Sequence, residues 1–229
     1  MKAHIPNIIT LLNLICGCVG IVLAFSGELF IAAYLIWGAA IFDFFDGFAA
    51  RLLKVKSSIG KELDSLADMV SFGVLPSVIM YILIEERTDN TFLPYLAFLI
   101  AAFSALRLAK FNIDERQAES FIGLPTPANA FFMSAIPFIL DKNFIGINDF
   151  LGAEGLIVIC IIFSILLVSN ISLFSLKFKG IAWQNNAIRY IFVAISGVLL
   201  LFLDVKAIPL IILLYLVLSV GFNLTSSTK

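Results

Sequence analysis

The sequence predicts an all-α integral membrane protein of about eight transmembrane helices, and three observations predict it. Hydrophobic residues make up 61% of the 229 positions and charged residues only 14%, against roughly 45–50% and about 25% in soluble domains. The mean hydropathy is +1.06. The charged residues gather between long runs that carry none, which is how loops alternate with spans. Other classes fall away on the same numbers. A net charge of -1 gives no basic surface for nucleic acid, and so apolar a chain is no disordered segment. Cys16, Cys18, Cys160 and the lone His4 supply neither a disulfide framework nor a zinc cluster.

The spans follow from the gaps. Residues 3–27, 69–84, 90–106, 120–140, 155–176 and 207–228 are free of charge, with shorter gaps at 29–42 and 190–203. A spanning helix needs about 20 mainly apolar residues. Helices are therefore expected at 7–26, 29–52, 62–84, 92–112, 124–140, 154–174, 188–204 and 206–225. The second reaches full length only by running through a charged tail to Arg51. Only Lys2 and His4 precede the first span, with no clear exit site of a cleaved signal sequence. No linker, low-complexity tract or internal repeat divides the chain, so 1–229 reads as a single transmembrane domain.

Orientation follows from Lys and Arg. With an even helix count, one side carries Lys2, Arg51, Lys54, Lys56, Lys61, Arg107, Lys110, Arg116, Lys177, Lys179, Arg189 and Lys229. The other carries Arg87, Lys142 and Lys206. The positive-inside rule then makes the first side, with both termini, cytoplasmic.

Most of the acids sit in short loops, but four do not. Asp43 and Asp46 occupy the cytoplasmic half of the second helix, and Asp64 and Asp68 open the third. Spacings of three and four residues put each pair on one helical face. An intramembrane carboxylate costs roughly 2.5–3.5 kcal/mol on insertion scales and usually has a partner inside the protein. Solvated interfacial caps are the plain alternative, yet Asp43 lies about 12 Å before Arg51 along the helix, deep for a cap. Four carboxylates cannot all stay ionised in an apolar core unaided. Mg²⁺ or Mn²⁺, hard ions that prefer oxygen, would resolve this, and a two-metal site holds its ions about 4 Å apart. A cation path through a transporter is the other use of such acids. The four cluster at one rim, however, and the interiors of the fifth, sixth and eighth helices carry no charge.

Neighbouring residues add detail. Gly47 and Ala50 continue the Asp43 stripe and leave a shallow groove, although small residues at this spacing also serve plain packing. Arg51 offers a planar fork suited to phosphate oxygens. The segment Lys54-Val55-Lys56-Ser57-Ser58-Ile59-Gly60-Lys61 adds cations and hydroxyls. Metals, a guanidinium and hydroxyls at one rim together describe a pyrophosphate site.

The pattern Asp43-x2-Asp46-Gly47-x2-Ala50-Arg51-x8-Gly60-x3-Asp64-x3-Asp68 resembles, at every fixed position, the motif of the CDP-alcohol phosphotransferase family. The topology resembles that family over the first six helices, and Ile5-Pro6-Asn7-Ile8-Ile9-Thr10 looks like its opening segment. The resemblance implies a transferase that cleaves the pyrophosphate of a CDP-activated lipid, moves the phosphatidyl group to an alcohol and releases CMP. It implies Asp43, Asp46 and Asp64 as metal ligands, with Asp68 touching the second metal and acting as the base. It implies Gly47, Ala50, Arg51, Ser57 and Gly60 around the cytidine diphosphate, with Asn7 and Thr10 nearby.

Two further stretches bear on the acceptor. Ser71-Phe72-Gly73-Val74-Leu75-Pro76 and Phe121-Ile122-Gly123-Leu124-Pro125-Thr126-Pro127-Ala128, the second preceded by Arg107-Leu108-Ala109-Lys110-Phe111-Asn112, resemble the branch of the family that uses L-serine. Lys110 stands where that branch would have arginine. The implied partners are CDP-diacylglycerol, L-serine and membrane lipids, in the cytoplasmic membrane of a prokaryote, with the site open laterally to the cytoplasmic leaflet. Arg107 and Lys110 are the candidates for the acceptor's carboxylate, and equally plain positive-inside anchors. Pro125 and Pro127 equally serve to start a helix. Glycerol 3-phosphate or an inositol phosphate stands as the alternative acceptor. With His4 as the only histidine, a phosphohistidine route is not expected. Gly17 and Gly20 in the first helix fit either a packing face or a homodimer face.

Overall fold

The computed structural model describes residues 4–55, 57–113, 121–141, 151–174, 180 and 183–226. Of the cations that set the expected orientation, Lys2, Lys56, Arg116, Lys142, Lys177, Lys179 and Lys229 lie outside these residues.

Helices α1 (His4–Phe25) and α2 (Leu29–Leu52) form a tight antiparallel hairpin. The reversal is a Schellman turn: Gly27, at φ +86°, donates to Ala24 O, and Glu28 donates to Leu23 O. On α1 the buried residues are Pro6, Thr10, Asn13, Gly17, Gly20 and Ala24, a single stripe. A Cβ on Gly17 would stand 2.7 Å from Ser71 Oγ, and one on Gly20 would stand 2.5 Å from a Leu75 methyl. Both glycines therefore serve packing within the chain, and of the two expected uses the homodimer face is not theirs.

A second Schellman turn ends α2, with Lys54 in the left-handed region at φ 53°. The chain then runs unbroken from α3 (Ser58–Asp68) through a π turn (Met69–Val74) into α4 (Leu75–Glu85). Ser57 caps α3 by accepting from Gly60 N at 3.2 Å. The π turn has a cause in Pro76, which has no N–H to give to Phe72 O; Leu75 donates to Val70 O, five residues back. Across the next loop, a 3₁₀ turn (Leu93–Phe98) leads into α5 (Leu99–Ile113).

Helices α6 (Thr126–Leu140) and α7 (Ala153–Val168) are shorter. The sixth expected span, 154–174, stops early at Val168. Beyond it β2 (Ser172–Leu173) pairs antiparallel with β1 (Phe121–Ile122), an extended ladder absent from the all-α expectation. Gly123 N and Leu124 N donate to Ile171 O and Leu166 O, so this strap closes over the end of α7 and takes the carbonyls a continuing helix would have used. Helices α8 (Trp183–Leu203) and α9 (Ile208–Ser226) complete the chain, joined by a 3₁₀ turn (Asp204–Ala207).

Among the described residues, five helical runs are long and apolar enough to cross a membrane, against the eight spans expected; α6 and α7 are too short to qualify by themselves. The run Ser58–Glu85 is the centre of the bundle, with 67% of its apolar window buried against 11% for the α8–α9 run. Side chains such as Val22, Leu201 and Phe202 project from the bundle's flanks, as a lipid-facing surface requires.

Candidate active site

The central run carries Asp64 and Asp68 on α3, and α2 brings Asp43 across to them. One carboxylate oxygen from each of the three lies within 4.8 Å of the others. Oxygen ligands at roughly 2.1–2.5 Å from a shared divalent ion would span such a distance. Asp68 is the deepest, only 9% exposed. Among the described residues no Lys or Arg makes a salt bridge to any of the four expected ligands, whereas Arg87 pairs with Glu86. A divalent cation would relieve the repulsion among three carboxylates so placed, and an all-oxygen donor set suits Mg²⁺ or Mn²⁺.

Asp46 sits differently. It is buried one turn along α2 from Asp43 and accepts a hydrogen bond from Thr10 Oγ1 at 2.5 Å. It stands outside the tight trio and faces the adjoining cavity.

That cavity holds about 500 Å³ and is lined by Pro6, Asn7, Thr10, Asp46, Gly47, Ala50, Val55, Ser57, Ser58, Gly60, Lys61 and Asp64. Its size lies within the usual range for small-molecule sites. Six of the seven residues expected around the nucleotide line it, namely Asn7, Thr10, Gly47, Ala50, Ser57 and Gly60. A Cβ on Gly60 would stand 3.1 Å from Asn7 Oδ1, so a larger residue there would press on that side chain. Arg51 is not part of the lining; its Nε donates back to Gly47 O at 3.0 Å and the side chain is exposed.

The two expected acceptor residues part company. Arg107 is buried, donates from Nη1 to Thr126 Oγ1 at 2.8 Å, lies 5.7 Å from the Phe111 ring and is within electrostatic reach of Asp68. Lys110, one turn nearer the end of α5, is exposed. The helix faces that bear them agree, but only Arg107 is covered, because α6 starts beside it.

Sequence reasoning passed over Asn13. Its Nδ2 donates to Asp68 Oδ1 at 3.1 Å, while its backbone O accepts from Ser71 Oγ at 2.9 Å. The available signal was its chemistry: a carboxamide in the middle of a charge-free span, one turn after Thr10, needs an interior partner. Thr10 itself has a second role beyond lining the cavity, because it fixes Asp46.

A bundle of apolar helices that groups three carboxylates within reach of one divalent ion, beside a cavity of small-molecule size, defines a candidate membrane-embedded active site. The comparisons make the class specific. The CDP-alcohol phosphatidyltransferase family matches residues 3–166, and the chain belongs to that family. It is 33% identical over 215 residues to the CDP-diacylglycerol–serine O-phosphatidyltransferase of Helicobacter pylori (strain J99), covering 93% of this chain and 87% of that one. It is 40% identical over 128 residues to the protein of that name in Bacillus subtilis (strain 168), covering 54% and 70%. To the one in Methanocaldococcus jannaschii it is 38% identical over 130 residues, covering 56% and 58%. It is thus an integral membrane protein of a phosphatidyl-transferring family.

Proposed function

We propose that this chain transfers the phosphatidyl group of CDP-diacylglycerol to the hydroxyl of L-serine, giving phosphatidylserine and CMP. The observation that carries the reading is the Asp43–Asp64–Asp68 trio joined through Asp64 to the cavity that Asp46 and Asp64 help to line. Similarity to the serine-using relatives over nearly the whole chain supports the acceptor.

The cytidine diphosphate lies in the cavity against Gly47, Ala50 and Gly60, where the lack of bulk lets phosphate oxygens approach backbone. Asn7, Thr10 and Ser57 offer polar contacts, and Arg51 swings from Gly47 O toward the phosphates. Asp43, Asp46, Asp64 and Asp68 hold two divalent ions, Mg²⁺ or Mn²⁺, which when bound neutralise charge on the phosphoryl oxygens. The serine hydroxyl oxygen attacks the phosphorus bearing the diacylglycerol. The bond from that phosphorus to the bridging pyrophosphate oxygen breaks, and CMP leaves with the electron pair. The hydroxyl proton passes to Asp68, which is buried so that water does not compete for it. The acyl chains stay in the bilayer. The site and both termini are cytoplasmic, in a prokaryotic cytoplasmic membrane, and 1–229 is a single domain.

The test is CMP release by purified protein in detergent with CDP-diacylglycerol and Mn²⁺ or Mg²⁺, with L-serine, glycerol 3-phosphate or inositol phosphate as acceptor. Serine-dependent release that Asp68→Asn reduces by about 10²–10⁴-fold is expected. Release with another acceptor alone discards serine and keeps the family chemistry.

A further inference from the structure

Two polar groups near Asp68 have business left over. Asn13 is fully buried at 0% exposure, and its Nδ2 is committed to Asp68. Because a carboxylate only accepts, that contact fixes the amide's orientation and leaves Oδ1 as a buried acceptor with no partner. Arg107, 8% exposed, gives Nη1 to Thr126 and keeps Nε as a buried donor with no partner. One unpaired acceptor on α1 belongs to a side chain that bonds Asp68, and one unpaired donor on α5 belongs to a guanidinium within electrostatic reach of the same carboxylate. Leaving such atoms unpaired inside a fold is costly, so a ligand that supplies the complementary groups would bind with that cost relieved.

We propose that Asn13 and Arg107 read the acceptor as a zwitterion: the ammonium donates to Asn13 Oδ1, the carboxylate accepts from Arg107 Nε, and the hydroxyl faces Asp68. This deepens the serine reading and rests on it. It assigns Asn13 two jobs through its two amide atoms, one toward the base and one toward the acceptor. Three contacts from three helices also fix the handedness of the α-carbon, so L- and D-serine become distinguishable.

The experiment compares kcat/KM for CMP release with L-serine, D-serine, L-glycerate, which lacks the ammonium, and ethanolamine, which lacks the carboxylate. Full-length wild type, Asn13→Ala and Arg107→Gln are assayed in detergent with CDP-diacylglycerol and Mn²⁺. Wild type is expected to prefer L-serine to each of the other three by about 100-fold or more, since a site built around a polar group rejects ligands lacking it. Asn13→Ala should raise the L-serine KM by about 10–100-fold and erase at least tenfold of the preference over L-glycerate, while keeping the preference over ethanolamine. Arg107→Gln should do the reverse. The KM for CDP-diacylglycerol should move in neither variant.

An Asn13→Ala loss equal for L-serine and L-glycerate would mean that Asn13 only positions Asp68, and it overturns the proposal. Where a variant does not purify as a monodisperse protein, wild type alone decides: D-serine, L-glycerate or ethanolamine used within about threefold of L-serine also overturns it. A wild type that uses only a phosphorylated alcohol overturns the serine reading itself, a separate and recognisable result.

Discussion

Thr10→Ala isolates what a single hydroxyl contributes to the metal and nucleotide site. Thr10 Oγ1 stands 2.5 Å from Asp46 Oδ2 and 3.1 Å from Pro6 O. The shorter contact to a carboxylate takes the proton, so this is a charge-assisted bond between two buried partners, worth about 1.5–3 kcal/mol. Removing it releases Asp46 to swing about its side-chain torsions, and an ion or substrate that needs it in place must restore that order on binding. At about 1.4 kcal/mol per factor of ten, the expected penalty is about 10–150-fold in the half-saturating concentration of Mn²⁺, of CDP-diacylglycerol or of both. The serine KM should stay within about twofold, because Thr10 holds Asp46 whereas Asn13 holds Asp68. Thr10→Ser keeps the oxygen and should recover at least tenfold of the loss. The assay is CMP release titrated separately with metal, CDP-diacylglycerol and L-serine. A Thr10→Ala enzyme with unchanged metal and CDP-diacylglycerol dependence, or one affected only in serine KM, would refute the assignment of Asp46 to this part of the site.

Three other outcomes are expected. Chelation with EDTA should stop CMP release and lower the thermal midpoint of the detergent-solubilised protein, because the three carboxylates lose their neutralising charge; a return of both with Mg²⁺ or Mn²⁺ checks this, metal at 100 times its Kd contributing about 2.7 kcal/mol. Gly123→Ala should destabilise by about 2–4 kcal/mol in thermal unfolding, since its φ of +76° disfavours a side chain and its Cβ would stand 2.6 Å from Leu167 O. Trp37→Phe should cost only about 0.5–1.5 kcal/mol in the same measurement, the worth of the 2.9 Å bond from Nε1 to Ser134 Oγ, and leave the acceptor preference unchanged.

What the sequence made legible was whatever depends on one helix at a time. The gap at 29–42, extended through its charged tail to the length a span requires, located α2 at 29–52 to the residue. Spacings within a helix put Asp64 and Asp68 on one face, and the structure joins them to Asp43. Contacts between helices were harder. Nothing in the spacing of α1 says whether Thr10 or Asn13 meets α2 or α3, and only the packed bundle gives Thr10 to Asp46 and Asn13 to Asp68. Arg107 and Lys110 share a face by spacing, yet α6 covers one and not the other. The strap of β1 and β2 was invisible because two-residue strands have no periodicity to read.

The stripe on α1 connects packing to chemistry. Pro6, Thr10, Asn13, Gly17, Gly20 and Ala24 recur every three or four residues, the spacing of one buried face. The absence of a side chain lets α1 lie almost against the backbone of the π turn at Gly17 and against the Leu75 side chain at Gly20. That close approach is what allows the short side chains of Thr10 and Asn13, two turns and one turn nearer the N-terminus, to reach carboxylates on α2 and α3. Ser71, which Gly17 admits, in turn bonds to Asn13 O and lies three residues after Asp68. The π turn and Asp68, the proposed base, are therefore registered against α1 by the same contact. Small residues deep in the bundle set the distance at which polar ones can act at its rim, so the catalytic geometry is a consequence of how closely two apolar helices can pack.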